Sequence, residues 1–520
     1  MTRILELLAC AALLAAAVAQ VWIPLGHPVP GEFSDSIDYL VFADYFRAAF
    51  SGQLTQQLVS FFAVTRFPPL FPLVLSALGA GAQASLAAYW LTALSMIASF
   101  ALAAIWLARE CRSLAIGASL AACFALNPGV FLLSLNPVSE ALFLPLLLVA
   151  LLWSQRAERD RGSLLAFAAF VGLLPLCRMA GVAVIIGAAL WLARRPARSR
   201  VERIVAVIVM LAPAAIWLAY RKLMPVAHSY ADALTPQNLL STFGGWHGLL
   251  LAQPLRMALG YVDSFSPWAD PPVTLVALVA LLFVSGLALR LARWTLDSLA
   301  LSVYLALVWC WPYPAEVGRL LALTLPMFFV CIWESTRWVS EHMAAMRPLA
   351  PAIAASFIVA ATALTSLPFA LESFERARAP ADPELEPFKR SASFFAEPGR
   401  TIALDLLELQ ARIVALMDET ASVVPPGDCV FTFHPTTLFV HAPAVDIRAM
   451  PYPPQAGVPL REQFSACRYV LVTSQSSLQN GEPLLYPLRE AREWLRPALV
   501  SRSKLDGGEV IAAALLRKLD

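Results

Sequence analysis

Charged residues are scarce in this chain of 520 residues. Asp, Glu, Lys and Arg make up 14% of it, against about 25% in an average soluble domain. The net charge is only +2 and no basic face stands out, so nucleic acid is excluded as an expected partner. Hydrophobic residues make up 59% of the chain. This balance predicts an α-helical polytopic membrane protein.

Sequence patterns that bind metal ions or mark a repeat are also missing. The six histidines form no HExxH motif, although His27 and His247 both fall on predicted outer loops. Six of the eight cysteines lie in or beside apolar segments without metal-ligand spacing, as small buried hydrophobic residues do. The sequence shows no internal repeat, which disfavours a transporter or flippase of lipid-linked sugars.

About eleven apolar segments are candidates for membrane spans, several of them shorter than the roughly 20 residues that a span requires. The first, Leu5–Ile23, competes with a cleaved signal peptide over Met1–Gln20, but the apolar stretch continues through Ile23 and favours an uncleaved span. The other candidates are Ser85–Ala108, Leu114–Leu126, Ala141–Trp153, Leu164–Leu176, Ala180–Ala193, Ile204–Leu218, Val273–Leu289, Leu296–Trp311, Leu320–Trp333 and Leu349–Leu371.

The placement of arginine predicts the orientation of these spans, because cytoplasmic loops collect Lys and Arg. All the basic clusters fall on the side of the N-terminus, provided that Pro68–Ala80 does not cross the membrane. Three prolines near the start of that segment predict a re-entrant or surface-lying conformation. The chain is therefore expected in the cell inner (plasma) membrane as a multi-pass protein with its acidic loops extracytoplasmic. The clusters begin at Arg109, Arg156, Arg194, Arg290 and Arg337.

Two domains are predicted. Residues 1–375 form the transmembrane domain, with a first outer loop at 26–83, and residues 376–520 form a small extracytoplasmic α/β domain. Within the latter, Leu404–Val424 has helical periodicity, whereas 429–433 and 468–472 have the β-branched and aromatic content of buried strands. Cys429 and Cys467 each open one of these strands, and the sequence is equally compatible with a disulfide and with two free thiols.

Four motifs, in a fixed order along the first 330 residues, carry a family resemblance. Asp35 and Tyr39 form an Asp-x-x-x-Tyr pattern in the first outer loop, and Arg66 is followed closely by Pro68-Pro69. Next come Ser139-Glu140 after an Asn-Pro-rich turn, the Arg-x-x-Gly of 178–181, and Arg319 leading Leu-Leu to Pro326. The set resembles membrane glycosyltransferases of the GT-C fold, including the protein-O-mannosyltransferase-like and aminoarabinose-transferase-like families. These enzymes use polyprenyl-phosphate sugars.

The resemblance implies roles for the motif residues that also fit elementary chemistry. A departing lipid phosphate needs cationic stabilisation, which Arg66, Arg178 and Arg319 can supply through bidentate contacts. An acceptor hydroxyl needs a general base, for which Asp35 is the candidate. Tyr39 and Glu140 are expected to contact substrate.

Each of these residues also has a purely structural interpretation. Asp35 could cap a helix, Glu140 could serve the dipole of one, and Arg178 could be a structural ion-pair partner between apolar runs. Asp38 and Asp44 are expected on solvated faces of the same helix as Asp35.

No cofactor is assigned with certainty. Some relatives bind a divalent metal, but Thr65 stands where some families carry a second acid, which weakens a two-carboxylate metal site. The absence of a WWDYG motif argues against transfer of a whole oligosaccharide to Asn.

The expected function is inverting transfer of a single sugar from a polyprenyl-phosphate donor to an extracytoplasmic glycan, lipid or protein, within a lipid membrane. The alternatives are a polysaccharide polymerase or ligase, a lipid-linked sugar transporter, and a non-catalytic scaffold. The first of these is favoured by the loop Lys222–Pro272, which contains His228, His247 and Arg256.

Overall fold

The chain forms two compact units, each built from segments that are distant in sequence. The first contains Met1–Gly26, Thr65–Phe71 and Tyr89–Ala377, and the second contains His27–Val64, Pro72–Ala88 and Arg378–Asp520. The structure is a computed structural model, and it describes residues 2–25, 35–64, 67–195, 198–223, 235–265, 272–311, 316–342, 350–380, 382–389, 392–396, 400–449, 460–463, 465–474, 494–505 and 508–519.

The first unit is a bundle of apolar helices around one hydrophobic core. Large aromatic side chains such as Phe124, Phe167 and Trp333 have almost no exposed surface there. Its α-helices are Thr2–Leu25, Leu86–Cys111, Leu114–Ala125, Pro128–Ser134, Ser139–Ala157, Arg161–Cys177, Gly181–Ala193, Arg200–Lys222, Pro236–Thr242, Gln253–Phe265, Val273–Ala292, Leu296–Trp309, Val317–Ala322, Leu325–His342 and Ala350–Arg378, with a π-helical turn at Gly248–Ala252.

The helices of this unit make the chain a polytopic membrane protein. Within the described residues, six helices are long and apolar enough to cross a membrane, and the bent pair Leu114–Ala125 and Pro128–Ser134 adds a seventh if it counts as one span. Three further apolar helices have only 13 to 17 residues. All eleven predicted segments overlap helices, but fewer of these reach full length than expected.

One predicted span, Leu320–Trp333, is divided between two helices. Val317–Ala322 ends before Thr324, and a new helix starts at Leu325 with Pro326 in its first turn. Proline fits there because the first-turn N–H groups have no intrahelical partner.

The segment Pro68–Ala80 does not form a span. Its helix, Leu70–Ala77, has eight residues and is therefore only about 12 Å long, much less than the roughly 30 Å of a bilayer core. The expectation of a non-crossing segment is confirmed.

The second unit joins first-loop helices to a C-terminal mixed sheet. The sheet order is β2-β1-β3-β5-β4, in which β1 runs parallel to β2 and β3, and β5 runs antiparallel to β3 and β4. The strands are β1 Cys429–Thr432, β2 Asp446–Ala449, β3 Tyr469–Thr473, β4 Leu495–Leu505 and β5 Gly508–Lys518. The helices are Asp35–Ser51, Gln56–Val64, Leu70–Ala77, Ala392–Ala396, Arg400–Val423, Pro435–His441 and Leu460–Gln463, with a 3-10 turn at Glu386–Phe388.

These elements bear out the secondary structure expected at the C-terminal end. The helix expected over Leu404–Val424 is present, and it packs against β4 and β5. The two expected buried strands are β1 and β3.

A disulfide joins β1 to the residue that precedes β3 by two positions. Cys429 and Cys467 are bonded, with their Cα atoms 4.9 Å apart. This decides between the two readings left open by the sequence. The other six cysteines are free thiols.

We predict that two of the eight cysteines are protected from alkylation until a reductant is added. Denatured protein treated with iodoacetamide should carry six labels without reductant and eight with it, as mass spectrometry of the intact chain can show. Cys429→Ser should lower the stability of the C-terminal domain by about 2–4 kcal/mol, since the bond closes a long loop. Eight labels without reductant would contradict the disulfide.

Candidate functional site

A carboxylate with no exposed surface lies at the start of one bundle helix. Glu140 is the second residue of Ser139–Ala157, which begins after an Asn-Pro turn, and its side chain is 0% exposed. A buried carboxylate is costly unless it is paired and hydrogen-bonded. Glu140 therefore requires cationic partners within the helical unit.

The first partner is Arg178, as its position between apolar runs indicated. Its Nη1 lies 2.6 Å from Oε2 of Glu140 and donates to the Ser139 hydroxyl at 3.3 Å. The Ser139 hydroxyl in turn donates to Glu140 at 3.3 Å, so Ser139 bridges the two charged groups.

The Arg-x-x-Gly motif has a steric explanation. Arg178 is an extended residue that ends the helix Arg161–Cys177, and the next helix begins at Gly181. A side chain at Gly181 would clash with the backbone of Leu174. Glycine therefore permits the tight connection that presents Arg178 to Glu140.

The second partner is Arg319, from the short helix Val317–Ala322. Its Nε donates to Oε1 of Glu140, so the two arginines bind different oxygens of one carboxylate. The side chain of Arg178 is 13% exposed and that of Arg319 is 28% exposed. We call Glu140, Arg178 and Arg319 the arginine pair site.

The arginine pair site contains two guanidinium groups, which do not deprotonate, and one carboxylate. Each guanidinium has five N–H donors in a planar fork that matches phosphate and carboxylate oxygens. The site can therefore bind an anion at the partly exposed side of the arginines.

A second buried ion cluster in the same unit has the opposite balance. Arg290, expected from the sequence to be a cytoplasmic loop residue, lies 2.7 Å from Asp297 and 2.8 Å from Glu110, and its side chain is 5% exposed. One cation between two carboxylates carries a net charge of −1. Its role is to join three helices, and it offers no excess charge to an anion.

An apolar cavity of about 360 Å³ lies in the first unit, and one of its lining residues is hydrogen-bonded to a residue near Arg319. Thr324, five residues after Arg319, is bonded through its hydroxyl to the Tyr261 hydroxyl at 2.6 Å. Tyr261 lines the cavity together with Phe265, Phe283, Trp309, Phe328 and Phe357. Its aromatic and aliphatic lining suits a hydrocarbon chain.

The acidic first-loop residues belong to the second unit. Asp35 begins the helix Asp35–Ser51. Tyr39, expected to contact substrate, is 1% exposed, and its substrate contact stays a prediction. Arg66 lies outside the described residues.

Two first-loop acids expected on solvated faces are bound instead. Asp38 accepts a hydrogen bond from the Thr436 hydroxyl. Asp44 accepts from the Ala82 N–H at 2.8 Å and is paired with Arg47 at 2.9 Å. The expectation was wrong because Thr436 and Ala82 come from segments that fold back onto this helix.

No metal centre can be built from the described part of the chain, in which no three His, Cys, Asp or Glu residues converge. Binding of a divalent metal, which some relatives show, stays an untested expectation of the resemblance. Two residues that bond to the candidate site residues or to the cavity, Thr436 and Thr324, could not be predicted from the sequence. An isolated threonine in an apolar or turn context is too common to indicate such a role.

Comparisons with known proteins give structural matches only. No protein-family model and no curated protein matches the chain. The Archaeoglobus fulgidus oligosaccharyltransferase tethered with an acceptor peptide is similar over 97% of this chain and 74% of its own, with 13% identity and a TM-score of 0.47. ArnT from Cupriavidus metallidurans, bound to undecaprenyl phosphate, is similar over 98% of this chain and 97% of its own, with 13% identity and a TM-score of 0.44.

Both proteins are GT-C fold glycosyltransferases, the class that the sequence motifs resemble. Because the TM-scores are below 0.5, these similarities carry no argument about the chemistry of this chain, which rests on its own residues.

We predict that Glu140→Gln destabilises the helical unit strongly. The change removes the buried carboxylate that pairs with two partly exposed arginines, and breaking a buried pair typically costs about 3–5 kcal/mol. The matched control is Glu158→Gln, because Glu158 pairs with Arg195 at 3.1 Å on the surface and such pairs contribute about 0–1 kcal/mol. Thermal unfolding in detergent should show a Tm several degrees lower for Glu140→Gln alone. Equal Tm values for the two variants would contradict the assigned pairing.

We also predict a pH-dependent effect of Asp38→Asn. Burial raises the pKa of Asp38 from its ordinary 3.8 to about 7. Between these values the folded protein retains a proton that the unfolded chain releases, so the stability contributed by this group is lost as pH rises towards 7. The variant, which has no charge to bury, should gain Tm relative to wild type at pH 8 compared with pH 5. A Tm difference that is the same at both pH values would refute the raised pKa.

Proposed function

We propose that this chain is an integral membrane glycosyltransferase that moves a single sugar from a polyprenyl-phosphate donor to an acceptor. The observation that carries the proposal is the arginine pair site, in which one fully buried carboxylate orients two partly exposed arginines. Two guanidinium groups inside an apolar helical unit suit a lipid whose single charged group is a phosphate.

The donor would bind by two complementary features. Its phosphate oxygens would accept hydrogen bonds from Arg178 and Arg319, while part of its prenyl chain would occupy the apolar cavity lined by Tyr261. The Thr324 hydroxyl, bonded to Tyr261, ties the cavity to the segment that carries Arg319. In this account Glu140 does not touch the sugar but holds both arginines, and Arg66 is a third phosphate ligand.

The transfer step is a displacement at the anomeric carbon. The acceptor hydroxyl gives its proton to Asp35 and its oxygen bonds to the anomeric carbon, while the bond from that carbon to the phosphate oxygen breaks. Polyprenyl phosphate leaves with the electron pair, and its developing charge is stabilised by Arg178 and Arg319. Attack from the face opposite the phosphate inverts the anomeric configuration. Tyr39 would contact substrate only if its surroundings open.

We further propose that the reaction takes place at the extracytoplasmic face of the inner membrane. The basic clusters support this orientation through the positive-inside rule. The Cys429–Cys467 bond supports it independently, because disulfides persist in oxidising compartments.

The test measures, by mass spectrometry, the polyprenyl phosphate that purified protein releases in lipid nanodiscs. A panel of polyprenyl-phosphate sugars is offered together with a cell-envelope lipid extract as acceptor. Asp35→Asn should lower turnover by about 10²–10⁴-fold, and Arg178→Gln or Arg319→Gln by about 10²–10³-fold. Arg195→Gln, a surface arginine of the same unit, should retain wild-type turnover.

The outcomes separate the parts of the proposal. Full turnover by Asp35→Asn would remove the assigned base, and full turnover by both arginine variants would remove the assigned phosphate site. No release from any donor by the wild-type protein would overturn the transferase assignment.

A further inference from the structure

The C-terminal segment that follows β1 packs against several parts of the first loop. Phe439 packs edge-on against Phe61 of Gln56–Val64, with ring centroids 5.5 Å apart. Gln83 donates to the Val440 carbonyl at 2.9 Å, and Gln57 donates to the Val445 carbonyl at 3.3 Å. Residues separated by more than 350 positions therefore form one packed body.

Within this body, Thr436 is the residue that reaches the acidic helix. Its hydroxyl donates to Oδ1 of Asp38, and Thr436 itself is 9% exposed. Asp38 and Asp35 are three positions apart in the first turn of Asp35–Ser51. Such a pair lies on the same helix face, with Cβ atoms about 5–6 Å apart.

The sheet fixes the position of Thr436. The hydroxyl of Thr432, the last residue of β1, accepts a hydrogen bond from the His434 N–H at 3.1 Å. Pro435 then begins the helix Pro435–His441, where its restricted φ suits the first turn. Thr436 therefore lies four residues after a buried strand, in a connection that the Thr432–His434 hydrogen bond holds in place. Functional side chains are positioned best by rigid elements of this kind.

We propose that Thr436 is a positioning residue that fixes the Asp38 carboxyl group beside Asp35, so that the C-terminal domain takes part in activating the acceptor. This inference rests on the proposed role of Asp35 as general base. With Oδ1 engaged by Thr436, Oδ2 of Asp38 is the atom that accepts a hydrogen bond from the acceptor and holds its hydroxyl for Asp35. The raised pKa of Asp38 fits a carboxyl group withdrawn from solvent.

The contact itself is tested by a double-mutant cycle on thermal stability, which needs no activity. Thr436→Val removes the donor at nearly constant volume, and Asp38→Asn changes its partner. Because the two side chains are bonded, their effects on Tm should not add. The matched control is Thr437→Val, on the neighbouring buried residue of the same helix, which should be additive with Asp38→Asn. Additive effects for Thr436→Val would overturn the inference at this first step.

The positioning role is tested in the nanodisc assay with the donor that wild type consumes. Thr436→Val should lower kcat by about 10- to 100-fold, since a displacement of about 1 Å can cost 10²-fold. The donor KM should not change, and Thr436→Ser, which keeps the hydroxyl, should restore kcat. Thr437→Val should behave as wild type.

The two assays distinguish failure of this inference from failure of the proposed function. Wild-type kcat in Thr436→Val, in a protein whose turnover needs Asp35, would overturn the positioning role and leave the transferase standing. Thermal coupling without release from any donor would overturn the transferase and the positioning role together, and would leave the contact as a structural one.

Discussion

The ion pairing of Glu140 with Arg178 and Arg319 is the interaction on which the helical unit and its proposed chemistry both depend. The three residues come from separate helical segments, and a carboxylate with no exposed surface is tolerable only because two guanidinium groups bind its two oxygens. The same pairing orients both guanidinium groups. Stability and the proposed phosphate binding are thus linked, since the carboxylate that orients the arginines also reduces the repulsion between their charges.

The second unit holds the acidic residues of the first loop. The first-loop helix of 17 residues buries most of its large apolar side chains, among them Tyr39, Leu40 and Phe42. Thr436 holds this helix through its bond to Asp38, and Phe439 packs against Phe61 of the next helix, Gln56–Val64. The C-terminal domain therefore acts as the support of the first loop, and its disulfide stiffens the sheet from which that support comes.

The sequence predicted the fold class and the individual charges of the arginine pair site, because charged residues beside apolar runs are conspicuous. It could not predict that Arg319 and Glu140 share a bond, since 179 positions separate them. It was wrong about Asp38 for the same reason, since Thr436 is 398 positions away. The apolar runs of the sequence placed eleven segments that all overlap helices, but the break at Thr324 and the number of full-length spans could not be read from hydropathy.

The central claim is that the arginine pair site recognises a lipid phosphate, and the most direct measurement is a comparison of two lipids of identical chain. Binding of undecaprenyl phosphate and of undecaprenol to the wild-type protein can be compared by native mass spectrometry in the same detergent. Our account predicts that the phosphate lipid binds at least tenfold more tightly and that Arg178→Gln removes most of this difference. Equal binding of the two lipids would show that only the apolar cavity takes part, and would contradict the account.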